Sequence, residues 1–243
     1  MAERAQSRDE LSERLEKVRQ RIREAALRVG RQENDVTLIA VSKTHPAALL
    51  KLAIEAGARD LGENRVQEAD AKITELGREA ARWHLIGHLQ ANKARRAVAL
   101  FDLIHSVDAV ALAARLDRLC AEQEREALPV LIQVDLAGEA TKSGASVAEL
   151  PELIKAVRAT EHLRLTGLMA LPPFLEDAER VRPFFRRLRE LRDLYGERGE
   201  FVASHGGKGE LSMGMSHDFE VAIEEGATMV RVGTAIFGER RAR

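Results

Sequence analysis

One lysine in this sequence stands where a nucleophilic amine could act. Lys43 follows an apolar run over residues 36–41, and a charged side chain at the end of such a run must point to a specific place. Partial desolvation lowers the pKa of an amine, and an uncharged amine condenses with carbonyl compounds to form a Schiff base. A lysine can also lay its methylene groups over apolar surface and keep its charge in water. Position alone leaves both interpretations open.

Two short segments near the C-terminus could hold an anion. One ends in Ser216, and the other contains Gly233 and Thr234. Ser216 is expected to begin a helix, where a hydroxyl and the following backbone amides can hold a phosphate. Gly233 would let the backbone approach a ligand, and Thr234 offers an amide and a hydroxyl. Either residue alone could be only a helix cap or a packing position, but the two together predict a phosphate site.

Arg231 lies inside an apolar run and therefore needs a partner, because an unpaired buried charge is costly. One candidate partner is a carboxylate elsewhere in the fold. The other is the ring nitrogen of a pyridine cofactor. Because arginine does not give up its proton, that nitrogen would stay unprotonated and the ring would be a weak electron sink.

Other polar clusters are weaker candidates. His84 and His88 are four residues apart in a predicted strand, so they share a face, but no third metal ligand is evident and we expect no metal site. The glycine-rich residues 206–209 lack the spacing of a phosphate-binding loop and are interpreted as a flexible connector. The basic residues 93–96 and the C-terminal arginines are interpreted as solvated surface.

The elements that position these residues alternate regularly. A helix with a capping box at Ser7 and Glu10 comes first, and it is followed by eight apolar β-type runs separated by helical stretches. The runs cover residues 36–41, 60–64, 83–89, 101–107, 129–136, 163–169, 210–215 and 228–237.

Eight βα units in a chain of this size favour a (β/α)8 barrel, of the TIM type, over an open doubly wound sheet. Active sites of such barrels lie at the carboxyl ends of the strands. That rule brings Lys43, Asn64, Ser216 and Gly233 to one face of the molecule. It also predicts a phosphate site in the loops after the last two strands.

Composition excludes several classes of protein. The 243 residues are 45% hydrophobic and 32% charged, which predicts a folded α/β domain over residues 1–243. A net charge of −1 disfavours a nucleic-acid-binding module. The single cysteine, Cys120, allows neither an intrachain disulfide nor a cysteine-built metal site. With no signal peptide and no apolar run long enough for a membrane span, we expect a cytoplasmic protein.

Five separate motifs together resemble one known family, the pyridoxal phosphate homeostasis proteins. The motifs are AVSKT (40–44), LGEN (61–64), WHLIGHLQ (83–90) with Asn92 and Lys93, LSMGMS (211–216) with Asp218, and VRVGTAIFG (230–238). They occur in the family's order and extend from the first predicted strand to the last. The resemblance implies a barrel like the N-terminal domain of alanine racemase, without that enzyme's second, β-rich domain.

The resemblance also implies a cofactor site for pyridoxal 5′-phosphate. Lys43 would carry the cofactor as a Schiff base, and Arg231 would face the pyridine nitrogen. The remaining cofactor-binding positions carried over are Asn64, Met215, Ser216, Gly233 and Thr234. Of these, Ser216, Gly233 and Thr234 would bind the phosphate, Asn64 would line the pocket, and Met215 is a weaker match.

Two details of the resemblance stand apart. His45 departs from the residue that the family often shows after the Ser-Lys-Thr triplet, which could alter the kinetics of cofactor exchange but not Schiff-base formation. Residues 142–144, with Lys142, match a family segment to which no role is assigned.

The function implied by the resemblance is to hold pyridoxal phosphate and help regulate its free level, without robust turnover. A physical reason agrees, because racemisation needs acid and base groups on opposite faces of the cofactor, and the only tyrosine, Tyr195, is predicted in an outer helix. Acceptors could be apo-enzymes that need the cofactor, and the missing second domain favours a monomer. The alternatives are a racemase-like enzyme, with His84, His88 or Cys120 as second base, and a cofactor-free aldolase acting on a sugar phosphate.

Overall fold

The computed structural model describes residues 7–138, 143–202 and 207–238. Lys142, the first glycine of the 206–209 connector and the C-terminal arginines lie outside these residues. The predictions made for them therefore have no structural counterpart.

Eight parallel strands close into a barrel, as the sequence predicted. They are β1 (Thr37–Val41), β2 (Asp60–Glu63), β3 (Arg82–Leu85), β4 (Leu103–Val107), β5 (Leu128–Asp135), β7 (Leu163–Met169), β8 (Glu210–Met215) and β9 (Met229–Val232). Each strand pairs in parallel with its neighbours around the barrel, and the β4–β5 pairing closes the circle. A two-residue strand, β6 (Ala145–Ser146), pairs with β5 outside the circle. The barrel prediction is confirmed, and the open sheet was the wrong alternative.

Helices surround the barrel and connect its strands. They are α1 (Arg8–Arg28), α2 (Ala47–Glu55), α3 (Val66–Leu76), α4 (Ala94–Leu100), α5 (Val110–Glu122), α6 (Leu150–Arg158), α7 (Arg182–Gly196), α8 (Phe219–Glu224) and α9 (Thr234–Phe237). The predicted extra helix is α1, with the Ser7–Glu10 capping box formed and its apolar stripe fully buried. Within the described parts of the chain, each helix is too short or too polar to cross a membrane.

Side chains of the strands alternate between two cores. One core lies between the strands and the helices and contains Trp83, Ile104 and Val230. A smaller core fills the barrel interior, and its buried members are Ile39, Leu103, Leu131, Met169 and Met229. Because alternate residues of a strand share a face, residues two positions along from this inner set also point inward. Arg231 follows Met229 in this way.

The last predicted strand was too long. Residues 228–237 were assigned to one strand, but β9 ends at Val232 and Thr234–Phe237 form the short helix α9. Gly238, with a φ of 84°, follows its end. A short apolar run looks the same in a buried strand and in a buried helix, so periodicity could not separate the two.

Three helix starts also differ from prediction. Ser216 does not begin a helix, because α8 starts at Phe219 with Asp218 at the cap position. The sequence also predicts that Asp108, after the fourth apolar run, caps the helix that follows, but the cap position of α5 is Ala109. Ser146 and Glu149 have the spacing of a second capping box, and both of its hydrogen bonds form, but α6 begins only at Leu150. Before α8 and α6, polar residues form a local turn ahead of the helix, with Met215 N–H bonded to Asp218 and Ser146 bonded to Glu149.

Candidate cofactor site

The predicted site residues lie at the carboxyl ends of adjacent strands. Lys43 and Asn64 follow β1 and β2, Met215 ends β8 with Ser216 next, and Gly233 follows β9. In the barrel β9 pairs with both β1 and β8, and β1 pairs with β2. The residues therefore come from four neighbouring strands at one mouth of the barrel. This is the face on which (β/α)8 enzymes place their active sites.

The loop that carries Lys43 is held on both sides of the lysine. The Ser42 hydroxyl donates to Glu63 Oε1 at 2.6 Å, and Lys72 Nζ donates to the Ser42 carbonyl at 2.7 Å. On the other side, the Thr44 N–H donates to Glu68 Oε1. Thr44 has a φ of 69°, a left-handed conformation that is strained for a β-branched residue. These contacts restrain the backbone on either side of Lys43.

Lys72 contacts both carboxylates that hold the loop carrying Lys43, those of Glu63 and Glu68. Its ammonium group contacts Glu63 Oε1 at 2.6 Å and Glu68 Oε1 at 2.7 Å. Glu63 is fully buried, and its Oε2 has no hydrogen-bond partner among the described residues. Burial raises the pKa of Glu63, although Lys72 and Ser42 oppose this shift.

Ser216 and Gly233 connect the last two loops of the barrel. The Gly233 N–H donates to Ser216 Oγ at 3.2 Å. A Cβ atom built on Gly233 would lie 3.3 Å from the Cβ and the carbonyl oxygen of Val41, which is tighter than ordinary packing. Gly233 therefore allows β9 to approach the end of β1. Thr234, exposed at the start of α9, is the residue that begins a helix at this mouth.

Arg231 is buried in the barrel interior among neutral oxygens. Nη1 donates to Ser212 Oγ at 2.6 Å, and Nη2 donates to the Ala170 carbonyl at 2.9 Å. Within the described ranges it has no ion pair within 4 Å, so the predicted carboxylate partner is not in contact. Burial lowers the pKa of Arg231 to about 10, and the charge of Asp218 opposes the shift. The guanidinium keeps its charge at neutral pH.

A groove lies beside Asn64 at the same mouth. It has a volume of about 1300 Å³, and its lining includes Thr44, His45, Asn64 and Lys72. His45 also packs against Phe237 of α9, with ring centroids 5.0 Å apart. His45 thus links the loop after β1 to the helix after β9.

His84 and His88, the weak metal candidates, lie in different surroundings. Strand β3 ends at Leu85, so the strand alternation does not reach His88. His84 is buried and contacts His105 and Asp60, whereas His88 is half exposed beside Asp108. The described residues contain no group of three potential ligands able to hold a metal ion.

Sequence reasoning missed the part played by His105, Ser212 and Asp60. All three are buried. Ser212 and His105 connect Arg231 to His84, and Asp60 contacts the other ring nitrogen of His84. The available signal was a polar residue at an inward position of an apolar strand, as His105 is in β4.

The fold and the mouth residues define a class, the barrel of the alanine racemase N-terminal type. The family model for the alanine racemase N-terminal domain matches residues 14–241. Curated proteins named pyridoxal phosphate homeostasis protein match nearly the whole chain. The relative from Aquifex aeolicus is 44% identical over 94% of this chain and 98% of its own length, and that from Pseudomonas aeruginosa is 46% identical over 95% and 96%. The chain belongs to the pyridoxal phosphate homeostasis protein family.

Solved structures agree with this assignment. PipY of Synechococcus elongatus, solved with pyridoxal phosphate bound, is 40% identical over 94% of this chain and all of its own, with a TM-score of 0.78. Alanine racemase from Corynebacterium glutamicum is 18% identical with a TM-score of 0.67 over 97% of this chain and 62% of its own. The second likeness concerns the fold alone.

Proposed function

We propose that this chain binds pyridoxal 5′-phosphate as a Schiff base on Lys43 and serves in the homeostasis of that cofactor. When bound, the cofactor supplies an aldehyde that condenses with an amine and a pyridine ring that withdraws electrons. Relatives named for this function and the cofactor-bound PipY structure support the proposal.

The residues of the mouth fit each part of the cofactor. Lys43 supplies the amine, and Arg231 supplies a charged donor for the pyridine nitrogen. Ser216, Gly233 and Thr234 would bind the phosphate. The sequence predicts a helix beginning at Ser216 for this purpose, and the backbone amides at the start of α9 take that role instead. Asn64 and Met215 line the pocket.

One observation carries the proposal: the buried guanidinium of Arg231 donates to neutral oxygens, and it lies in the barrel whose mouth also holds Lys43. A structural arginine in a barrel interior is usually paired with a carboxylate, because its charge needs compensation. Arg231 donates instead to a hydroxyl and a carbonyl. A guanidinium has five N–H groups, so donors remain for an acceptor such as a ring nitrogen.

We propose further that the bound cofactor is stored and passed on rather than used in turnover. Catalysis of racemisation needs a second acid/base group facing Lys43 across the ring. Tyr195 is buried in the outer helix α7, both ring nitrogens of His84 are engaged in the interior, and burial raises the pKa of the Cys120 thiol in α5. Among the residues considered from the sequence as a second acid/base group, these observations leave only His88, which is half exposed beside Asp108.

The setting proposed for this activity is the cytoplasm, with the 243 residues acting as one monomeric barrel. Apo-enzymes that require pyridoxal phosphate are the proposed acceptors. The weak electron sink expected beside Arg231 supports storage, because a reversible imine with little carbanion stabilisation releases its cofactor unchanged.

Borohydride reduction followed by mass spectrometry tests the proposal. The purified chain is incubated with pyridoxal phosphate, reduced and digested, and the modified peptide is identified. We expect one phosphopyridoxyl group on Lys43 and loss of an absorbance band at about 420 nm on reduction. The Lys43→Ala variant should show neither, and a Lys51→Ala variant, which removes an exposed lysine of α2, should behave as wild type.

Other outcomes contradict specific parts of the proposal. An unmodified wild-type chain contradicts cofactor binding as a Schiff base. An adduct retained in Lys43→Ala assigns it to another lysine, with Lys142 the first to examine. Exchange of amino-acid α-protons with heavy water, lost in Lys43→Ala, favours the racemase-like enzyme over the storage role.

A further inference from the structure

A chain of hydrogen bonds crosses the barrel interior from Arg231 to Asp60. Arg231 Nη1 contacts Ser212 Oγ at 2.6 Å, and Ser212 Oγ contacts His105 Nδ1 at 2.8 Å. His105 Nε2 contacts His84 Nδ1 at 3.0 Å, and His84 Nε2 contacts Asp60 Oδ1 at 3.0 Å. The five side chains come from five different strands, and all are buried.

When both histidines are neutral, the two ends of this series of hydrogen bonds determine the direction of every hydrogen bond in it. A guanidinium only donates, and an ionised carboxylate only accepts. Burial raises the pKa of Asp60, but hydrogen bonds from His84 and Arg82 outweigh this effect and lower it, so the carboxylate is ionised. His84 therefore donates from Nε2 to Asp60, and a neutral His84 then accepts at Nδ1 from His105.

The same argument assigns the protons at the other end. His105 carries its proton on Nε2, so its Nδ1 accepts the proton of the Ser212 hydroxyl. Ser212 then presents lone pairs to Arg231. A doubly protonated His105 would break this order, and burial together with the charge of Arg231 holds the pKa of His105 well below its usual value.

We propose that His105 is a positioning residue for the cofactor's pyridine ring, acting through Ser212 and Arg231. By accepting the Ser212 proton, His105 makes the hydroxyl an acceptor toward Arg231 and holds the guanidinium in place. Ser212 then has no proton to offer a ring nitrogen, and Arg231 remains the donor. This inference rests on the proposed function, since it concerns the ligand of that site.

Nitrogen-15 NMR of the ligand-free protein tests the assigned protons without any cofactor. A chain labelled in histidine is compared with its His105→Asn variant to assign the His105 signals. We expect a neutral His105 with its proton on Nε2 throughout the neutral pH range, and Nδ1 with the shift of an accepting nitrogen. A proton on Nδ1, or a charged ring, overturns the proposal.

Variants test the effect on the ligand. His105→Leu removes the acceptor for Ser212, and we expect affinity for pyridoxal phosphate to fall by about tenfold, which corresponds to the loss of one hydrogen bond. Ser212→Ala, a small change in volume, should give a similar fall. Both should change the pH dependence of the bound cofactor's absorbance. His105→Asn, whose amide oxygen can replace Nδ1 as acceptor, should bind within about threefold of wild type.

A histidine of the protein that takes no part in this series of hydrogen bonds provides the control. His162 pairs with Asp117 of α5 at 3.3 Å, and His162→Asn should leave affinity and absorbance unchanged. Wild-type affinity with an unchanged pH titration in both His105→Leu and Ser212→Ala overturns the positioning role alone. Failure of the wild-type chain to bind pyridoxal phosphate overturns the proposed function and this role together.

Discussion

The Gly233 N–H donates to Ser216 Oγ at 3.2 Å, which joins the loops after β8 and β9 at the mouth of the barrel. The sequence predicts that Ser216 begins the helix after β8, but α8 begins at Phe219. Ser216 instead accepts from the cap position of α9. The phosphate-binding candidates therefore form one connected unit beside the end of β1.

Replacement of Gly233 with alanine should disturb this unit. The new Cβ would lie 3.3 Å from Val41, so the end of β1 or of β9 must shift by a few tenths of an ångström. We expect the free energy of unfolding to fall by about 1 kcal/mol and cofactor affinity to fall with it. Urea denaturation and a binding titration measure the two effects. Gly207→Ala should change neither, because among the described residues, its chain neighbours aside, none has an atom within 4 Å of the added Cβ.

Replacement of Arg231 with glutamine should change the absorbance of the bound cofactor and its pH dependence. Glutamine keeps a donor but removes the charge, so the pyridine nitrogen would gain a proton more easily. A pH titration of the absorbance band measures this effect. The control is Arg164→Gln, which removes an exposed arginine of β7. An unchanged titration in Arg231→Gln would mean that the arginine does not contact the ring.

Replacement of Lys72 with methionine should destabilise the fold and loosen the loop that carries Lys43. The substitution leaves the Glu63 carboxylate buried without its cation, and removal of one partner of a buried ion pair costs about 3 kcal/mol. Thermal and urea denaturation measure the loss. Lys51→Met, on the exposed side of α2, serves as control. Equal stability of Lys72→Met and wild type would contradict the role of this lysine in the loop support.

The pH dependence of stability should contain a contribution from Glu63 of unusual sign. Its pKa is raised above the ordinary value of 4.5, so the folded chain holds this proton more tightly than the unfolded chain does. Stability from this group is therefore present at low pH and is lost as pH rises from 4.5 through the higher pKa of the folded state.

A comparison with Glu63→Gln isolates this contribution. Glutamine keeps a hydrogen-bonding side chain and cannot ionise. The free energy of unfolding of wild type minus that of Glu63→Gln should decrease as pH rises from 4.5 through the higher pKa of the folded state. Urea denaturation at a series of pH values measures the difference. A difference that grows in favour of wild type with rising pH would show that Lys72 lowers the pKa of Glu63 instead.

The fold followed from the sequence to a large extent. The runs at 163–169 and 210–215 match β7 and β8, and the other predicted runs overlap the remaining barrel strands. Apolar strands that alternate with amphipathic helices carry this signal locally, because each βα unit must bury one face against its neighbours. The boundaries failed at residues 233–237, where a buried strand and a buried helix have the same composition.

The sequence by itself determined the order of strands and helices and the chemical groups available at their ends, including the amine of Lys43 and the guanidinium of Arg231. Only the tertiary structure decided the partners of those groups. Asp60, His84 and His105 lie on the successive strands β2, β3 and β4, whereas Ser212 lies on β8, 107 residues after His105. Closure of the barrel brings these side chains into hydrogen-bond contact with one another and with Arg231. The reason is physical. Periodicity in the sequence indicates which face of a strand a side chain is on, whereas a hydrogen bond also needs a partner within about 3 Å, and only the folded chain brings that partner close.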